Sequence, residues 1–359
     1  MADPHGERHL IVVGAGLSGL ATALGAALHG WSVTVFEAAG LVGGAAAYSG
    51  GQVWVGGNHV AEREGISDSL ELAERYVRDI ARAAPEALDE AAMNRWLTEA
   101  PKAMRYWEEV GAIRWTVIPG LADYHAEADG ALGAGRYLTN EVIDGSVLGE
   151  WRARLRVSPY FPVGTTYAEM FVKGRRVSGS DSEISAGGEE AQAFGLTRGG
   201  REGGGAAGDG SGADPLTFGT GVVASFLARV LKEDSITIHT SHPVTELLTD
   251  GAGRVTGVRA QGKDGPVEAY GRVVLATSTY DWDPELVREL LGLGPEDFGS
   301  IAPRSVRGDG LKLARAVGAD TARIPPTSVP MLPGWEAGEG AGFAYGPEFA
   351  KPHTLIVDR

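Results

Sequence analysis

Leu10-Ile11-Val12-Val13-Gly14-Ala15-Gly16-Leu17-Ser18-Gly19 opens the chain's first ordered unit. Its four apolar residues, three of them β-branched, stop at a glycine, which predicts a short buried strand. Residues 17–29 are small and apolar and close at Gly30, the pattern of a helix with a glycine stop. A second strand-type run, 32–36, completes a βαβ unit. G-x-G-x-x-G between strand and helix is the spacing of a dinucleotide site. Gly14 permits the tight turn, Gly16 lets backbone amides approach a pyrophosphate, and Gly19 lets the helix lie close on the strand. Ala15 and Ser18 belong to the same loop, and the helix N-terminus adds partial positive charge and free N–H groups. Glu37 ends the second strand, where a carboxylate can accept both hydroxyls of an adenosine ribose and would repel a 2′-phosphate.

No charged residue occurs from position 10 to 28, a length that hydropathy alone would assign to a membrane span or a signal-peptide core. Gly14, Gly16, Gly19 and Gly25 break it, and the residues before it carry Asp3, Glu7 and Arg8 rather than a basic run. The stretch therefore reads as strand, turn and helix of a cytoplasmic protein with no transmembrane segment. The 359 residues carry 47 acidic and 32 basic side chains, for a net charge of −15. That field opposes nucleic acid and anionic membrane partners. With no cysteine, thiolate nucleophiles, iron–sulfur clusters and Cys-ligated zinc are excluded.

Beyond the first unit, a second glycine cluster, Gly43-Gly44-Ala45-Ala46-Ala47-Tyr48-Ser49-Gly50-Gly51, suits a cofactor whose diphosphate and ribityl chain run on past the first turn, and so favours FAD over NAD. Residues 67–83 and 85–110 have helical patterns, with Pro101 suited to a first helical turn, and 113–118 alternates like a strand. Residues 178–213 are rich in Gly, Ser, Ala, Glu and Arg and cannot offset their ordering entropy, so a mobile surface insertion is expected. A helix over 217–231, strands over 236–239 and 244–248, a hairpin through 251–253 to 260, a buried strand over 272–276 and helices over 284–291 and 310–317 follow.

The expected fold class is α/β: a Rossmann-like FAD-binding domain with an inserted α+β cap or substrate domain. Residues 1–110 form the first part of the FAD domain, 111–177 the start of the cap, 178–214 the insertion, 215–280 the second FAD part and 281–359 the start of a catalytic or substrate domain. His239-x-x-His242 lies on or beside a strand, where residues three apart face opposite ways, and no metal site is expected. Trp96, Trp107, Trp115 and Trp151 fall in the cap region, with helix-core packing as the leading explanation.

Residues 11–37, the second glycine cluster through Gln52-Val53-Trp54, and Pro119-Gly120-Leu121-Ala122-Asp123-Tyr124 together resemble the FAD-dependent 3-ketosteroid Δ1-dehydrogenases of the fumarate reductase/succinate dehydrogenase flavoprotein superfamily. The likeness continues through Gly219-x-Gly221, Pro243-Val244, Val273-Val274-Leu275-Ala276 and Gly308-Asp309-Gly310. It implies α,β (1,2-) dehydrogenation of a 3-ketosteroid or similar apolar cyclic ketone, with hydride passing to flavin N5, a proton to a tyrosine, and electrons on to an external acceptor. It makes Tyr124 the catalytic candidate, the partner of the base tyrosine. It adds Ala45, Ser49, Gly50, Gly51, Val244, Ala276, Thr277 and Asp309 to Gly14, Ala15, Gly16, Ser18, Gly19, Glu37, Gly43 and Gly44 as FAD-binding residues. Ala45-Ala46-Ala47 stands where covalent superfamily members carry a histidine, so the FAD is non-covalent.

The family's Ala-Ala-Gly-Gly reads Ala276-Thr277-Ser278-Thr279 here. The family also continues past residue 359 into its base tyrosine and flavin-ring segment, so the chain reads as a fragment, a non-catalytic remnant, or one half of an enzyme whose other half is a second polypeptide. Two alternatives stand beside dehydrogenation: a fumarate reductase-like reduction of an unsaturated carbonyl or carboxylate, and a flavin-binding subunit needing a second chain for activity.

Overall fold

The structure, a computed structural model, describes residues 8–159, 161, 164–171, 214–294, 300–321, 332–333 and 343–344. The expected insertion, apart from Asp214, lies outside the described residues, as does most of the final 38-residue stretch. Strands in chain order are β1 (His9–Val13), β2 (Ser32–Phe36), β3 (Val53–Trp54), β4 (Trp115–Val117), β5 (Tyr137–Asn140), β6 (Ile143–Asp144), β7 (Pro215–Leu216), β8 (Ile236–His239), β9 (Val244–Thr249), β10 (Val255–Gly262), β11 (Gly265–Tyr270) and β12 (Arg272–Leu275). Helices α1 (Leu17–Leu28), α2 (His59–Arg63), α3 (Leu70–Ala81) and α4 (Glu90–Glu109) precede the helices Phe218–Val230, Pro284–Leu291 and Asp309–Ala316.

A four-stranded sheet in the order β12-β1-β2-β8 holds the first βαβ unit. All three pairings are parallel, with Val13 opposite both Leu275 and Phe36. The period of two in β1 divides its side chains between two cores. Leu10 and Val12 join Leu20, Leu24, Val33 and Val35 and the Phe218–Val230 helix on one face. Ile11 and Val13 join Phe36, Val244, Leu247 and Val258 on the other. Each such residue taken from water contributes roughly 1.5–3 kcal/mol, and burial on both faces is why β1 reads as a continuous apolar run.

The second face is covered by the antiparallel sheet β11-β10-β9. The expected hairpin is therefore three-stranded, with β11 added by a turn at Lys263-Asp264. On the first face α1 buries Gly19, Leu20, Ala23, Leu24 and Ala27, one helical stripe. The Phe218–Val230 helix is buried nearly all round, as a central helix between layers must be. A smaller antiparallel sheet has the order β3-β5-β4.

Pro101 differs from expectation, since it lies inside α4. The helix runs through it and forgoes one interior hydrogen bond, while Met93 and Leu97 pack with Ala73 of α3. The tryptophans meet the core-packing expectation in part: Trp115, on β4, is buried and Trp107 meets Phe226 edge-on, whereas Trp96 stacks on Trp54 but is 43% exposed and Trp151 is half-buried beneath Arg154.

Candidate functional site

The carboxyl ends of parallel strands are where open α/β sheets place ligands, and the loops after β1, β2 and β12 meet there. Gly14 takes φ +105°, and its N–H donates to Phe36 O at 2.7 Å. A Cβ on Gly14 would lie 2.4 Å from Ala276 O, and one on Gly19 would lie 1.9 Å from Gly14 O. These two glycines are required by the protein's own backbone. Gly16 is different. It caps α1 with φ −73°, an ordinary value, no side chain caps the helix, and no acidic residue lies in the first turn. A Cβ there would meet nothing nearer than Gly43 O and Gly44 Cα, both at 4.0 Å. The space it would fill is a shallow cradle over a helix N-terminus.

The second glycine cluster builds the other wall. Gly43, at φ +122°, forms an isolated parallel bridge with Gly16 and donates to Ala15 O at 2.9 Å. A Cβ on Gly44 would stand 3.3 Å from Gly16 Cα. Two clusters read separately in the sequence are thus one double-glycine cradle. Glu37 fastens it from below: its carboxylate accepts the N–H of Ala15 and of Ala39, each at 2.8 Å. Burial raises its pKa, against the lowering by those two N–H groups and by the charge of Arg156. The Ala38 N–H acts on the same carboxylate, and of its about four acceptor positions one is left over for a ribose hydroxyl.

The remaining candidates sit around this centre. Ser18 is exposed on the first turn of α1 and Ala45 is half-buried in the 3₁₀ turn Gly44–Tyr48. The Ser49 hydroxyl donates to Ala46 O and accepts the Gly51 N–H. Gly51, at φ +66°, packs on the start of the Phe218–Val230 helix, where a Cβ would meet Phe218 C at 2.4 Å. Gly219 donates to Ser49 O at 3.0 Å. The Ala276 N–H donates to Val13 O, and the Thr277 hydroxyl accepts the N–H of Gly310, beside Asp309. Thr277 therefore ties β12 to the helix Asp309–Ala316, while Ser278, which stands where the resembling sequences have glycine, takes the left-handed φ of +67°. Val244 follows the turn bonded to Glu37, with its own side chain in the core.

Tyr124 is 70% exposed, its ring stacked on Tyr137 with centroids 5.2 Å apart. Its hydroxyl reaches Gln52 Oε1 at 3.4 Å, and Gln52 is also hydrogen-bonded to Tyr167, whose hydroxyl donates to Gly50 O at 2.7 Å. Burial pushes the phenols of Tyr137 and Tyr167 up. Asp123 is turned away from this surface. It accepts hydrogen bonds from Trp54 Nε1, the Leu132 N–H and Arg136, and Arg136 also grips Asp68. The Asp68–Arg136–Asp123 triad is about 1–2% exposed, with the guanidinium beside the Trp54 and Tyr76 rings. Asp123 thus anchors the loop that presents Tyr124.

Gln52, Arg136, Tyr137, Arg156 and Tyr167 were missed by sequence reasoning. Gln52 reads only as part of the Gln52-Val53-Trp54 stretch, and the others, among them Tyr137 at the start of β5 and Tyr167 at the start of its helix, stand at single positions that no motif marks. A cavity of about 240 Å³ opens between β4, β5 and the Tyr167–Phe171 helix, lined among others by Thr116, Thr139, Asn140 and Thr217. It shares Tyr167 and Phe218 as a wall with the Gly50–Gly51 turn, but neither Tyr124 nor the cradle lines it.

His239 and His242 correct the sequence reading. Their ring centroids are 5.3 Å apart, both against Phe36. Ser241 turns the chain at φ +57° and brings His242 back to the side of His239. Among the described residues no group of three His, Asp or Glu is placed to hold a metal, and no helix is long and apolar enough to cross a membrane.

The residues fit the FAD expected from the sequence: an uncapped helix N-terminus, a cradle that a Cβ on Gly16 would fill, and a buried carboxylate with acceptor capacity to spare. Comparison with known proteins gives four further findings. The model of the family described as FAD binding domain matches residues 9–351. The chain is 29% identical over 328 residues to 4-oxocyclohexanecarboxylate 2-dehydrogenase of Sinomonas cyclohexanicum, covering 89% of this chain and 51% of that protein. It is 32% identical over 143 residues to 3-oxosteroid 1-dehydrogenase of Mycobacterium tuberculosis, covering 40% and 25%. The fold is similar to that of 3-ketosteroid delta1-dehydrogenase from Sterolibacterium denitrificans, with a TM-score of 0.67 at 21% identity, over 87% of this chain and 55% of the other. The chain spans about half the length, or less, of these relatives.

Proposed function

We propose that this chain, which belongs to the FAD binding domain family of FAD-dependent oxidoreductases, serves the α,β-dehydrogenation of a cyclic ketone. The observation that carries this reading is the reach of the Tyr124 hydroxyl to Gln52, the residue directly after the Gly43–Gly51 cluster. It supports a site in which a phenol stands close to the Gly50–Gly51 end of the second glycine cluster. FAD, when bound, supplies the acceptor for the hydride leaving the carbon β to the carbonyl.

The chain's own residues supply cofactor binding and a hydrogen-bond partner for the base tyrosine, which the resemblance puts in the part of the relatives' length that this chain does not span. The N–H groups at the start of α1 face the diphosphate, and Glu37 accepts from the ribose. Tyr124, held by its stack on Tyr137, would turn its one hydroxyl proton from Gln52 Oε1 to the tyrosine that takes the proton from the α-carbon. That bond favours the base's phenolate form. Asp123 and Arg136 keep the Tyr124 loop in place without touching the reaction.

The likeness to the 4-oxocyclohexanecarboxylate dehydrogenase runs along 328 residues and that to the 3-oxosteroid enzyme along 143. A small cyclic oxo acid is therefore the first substrate to try, with a 3-oxosteroid second and an external electron acceptor closing the cycle. The test is anaerobic bleaching of the bound flavin by the saturated ketone, in a preparation that includes the part of the relatives' length this chain does not span. In Tyr124→Phe the bleaching rate is expected to fall about a hundredfold, the lower range for a lost general acid–base contact, with FAD content unchanged. An undiminished rate in that variant would remove Tyr124 from the mechanism. Failure of every cyclic ketone to bleach the flavin, with reoxidation of reduced flavin by an unsaturated acid, would turn the reading to a reductase.

A further inference from the structure

Arg152 and Arg154 close the 3₁₀ helix Gly145–Arg154 and Arg156 follows in extended chain, and the three meet different surroundings. Arg152 pairs with Asp214 at 2.5 Å, and Arg154 lies exposed over the Trp151 ring. Arg156 is 2% exposed. Its segment runs beside the approach to the second glycine cluster, where Val42 donates to Arg154 O at 2.8 Å and Arg156 donates to Val42 O at 2.9 Å. A Cβ on Gly43 would stand 3.5 Å from the Cβ of Arg156, so the arginine starts directly beneath the cradle. Its guanidinium then extends over the Tyr48 ring, 5.5 Å from the centroid, and Nη1 donates to the Tyr48 hydroxyl at 3.4 Å.

We infer that Arg156 is the fixed counter-charge of the dinucleotide site, a buried cation under the Gly43–Gly44 wall that draws the diphosphate into the cradle. The inference rests on the FAD reading of that cradle and adds a residue to it from outside both glycine motifs. Taking a guanidinium out of water is costly, and the cost is recovered only where negative charge shares its surroundings. Glu37 is one such charge, and the field of Arg156 reaches it, since the arginine is among the influences that lower the Glu37 pKa. The diphosphate is the second. The chain as a whole carries −15 and repels a dianion at long range, so the site needs a local positive charge that solvent does not screen. The helix N-terminus supplies only about half a charge. A guanidinium stays protonated at every working pH and keeps its place through the Tyr48 contact.

The experiment titrates the apo chain with FAD, with ADP and with adenosine, for the wild type, Arg156→Met and Arg156→Lys. Wild-type binding of FAD and ADP establishes the cradle itself; its absence would sink the FAD reading rather than the role of Arg156. Given that binding, Arg156→Met is expected to weaken FAD and ADP by about tenfold or more, as expected for a lost buried charge partner, and to leave adenosine unchanged. Arg156→Lys keeps the charge and is expected to stay within about threefold of wild type for ADP. Equal weakening of ADP and adenosine would mean that Arg156 only shapes the fold and would overturn the inference, as would unchanged ADP affinity in Arg156→Met. If Arg156→Met does not fold, Arg156→Lys decides: a tenfold loss of ADP affinity with unaltered adenosine binding and melting would contradict a charge-based role.

Discussion

A chain carrying Gly16→Val is expected to fold and yet to bind FAD and ADP at least about a hundredfold more weakly, a loss near 3 kcal/mol. The three motif glycines separate on geometry. Gly14 and Gly19 are forced by the backbone, since a Cβ on either would lie within 2.4 Å of a carbonyl oxygen. Valine at those places would break the packing of β1, α1 and the strand beside them, and lost cofactor would report only on lost structure. At Gly16 the backbone has φ −73° and the nearest atoms to a new Cβ are 4.0 Å away. The stability change should stay within about 1 kcal/mol. Its methyl groups would instead stand over the helix N-terminus, between that helix and Gly43–Gly44, where the diphosphate must lie to meet the N–H groups. Isothermal titration with ADP and FAD beside a thermal melt separates the two effects. A valine variant with wild-type ADP affinity would show that the cradle is not the phosphate site.

The second large effect is on stability. Arg136→Met is expected to destabilise the chain by roughly 3–5 kcal/mol, the cost of leaving a buried ion pair without one partner. Here two carboxylates, Asp68 and Asp123, lose the same guanidinium at once, and both are about 1–2% exposed. Asp123 keeps the Trp54 and Leu132 donors and Asp68 keeps the Gly57 N–H, which limits the loss without removing it. Urea unfolding measures it. Combining Arg136→Met with Asp68→Asn and Asp123→Asn should recover much of the stability, because neutral amides need no counter-charge. A single variant no less stable than wild type would mean that the triad is not closed in solution. The change also reaches the site, since the loop that presents Tyr124 is anchored through Asp123.

What the sequence made legible was local. β1, α1 and β2 follow from apolar runs, a glycine stop and β-branched residues, all signals carried by neighbours along the chain. The pairing of β12 beside β1 joins residues some 260 positions apart, and no local pattern announces it. The glycine motif marked a nucleotide site, but only the contact of Gly16 with Gly43 shows that the two clusters are a single cradle. The expectation of opposed histidines failed because it assumed an extended chain where Ser241 turns it. Pro101 was placed at a helix start by its own preference, and α4 runs through it. Arg136 and Arg156 carry no signal in the sequence, since a buried arginine and a solvated one are written alike; their roles come from the carboxylates, rings and glycines brought to them from elsewhere in the fold.

The central claim is that this chain holds FAD non-covalently in the cradle of Gly16, Gly43–Gly44 and Glu37. Titration of the purified, folded chain with FAD and with ADP tests it directly. The account predicts saturable, equimolar binding of FAD, competed by ADP, and release of intact FAD into the supernatant when the protein is denatured. A folded chain that binds neither nucleotide, or flavin that stays attached to the denatured polypeptide, would contradict it.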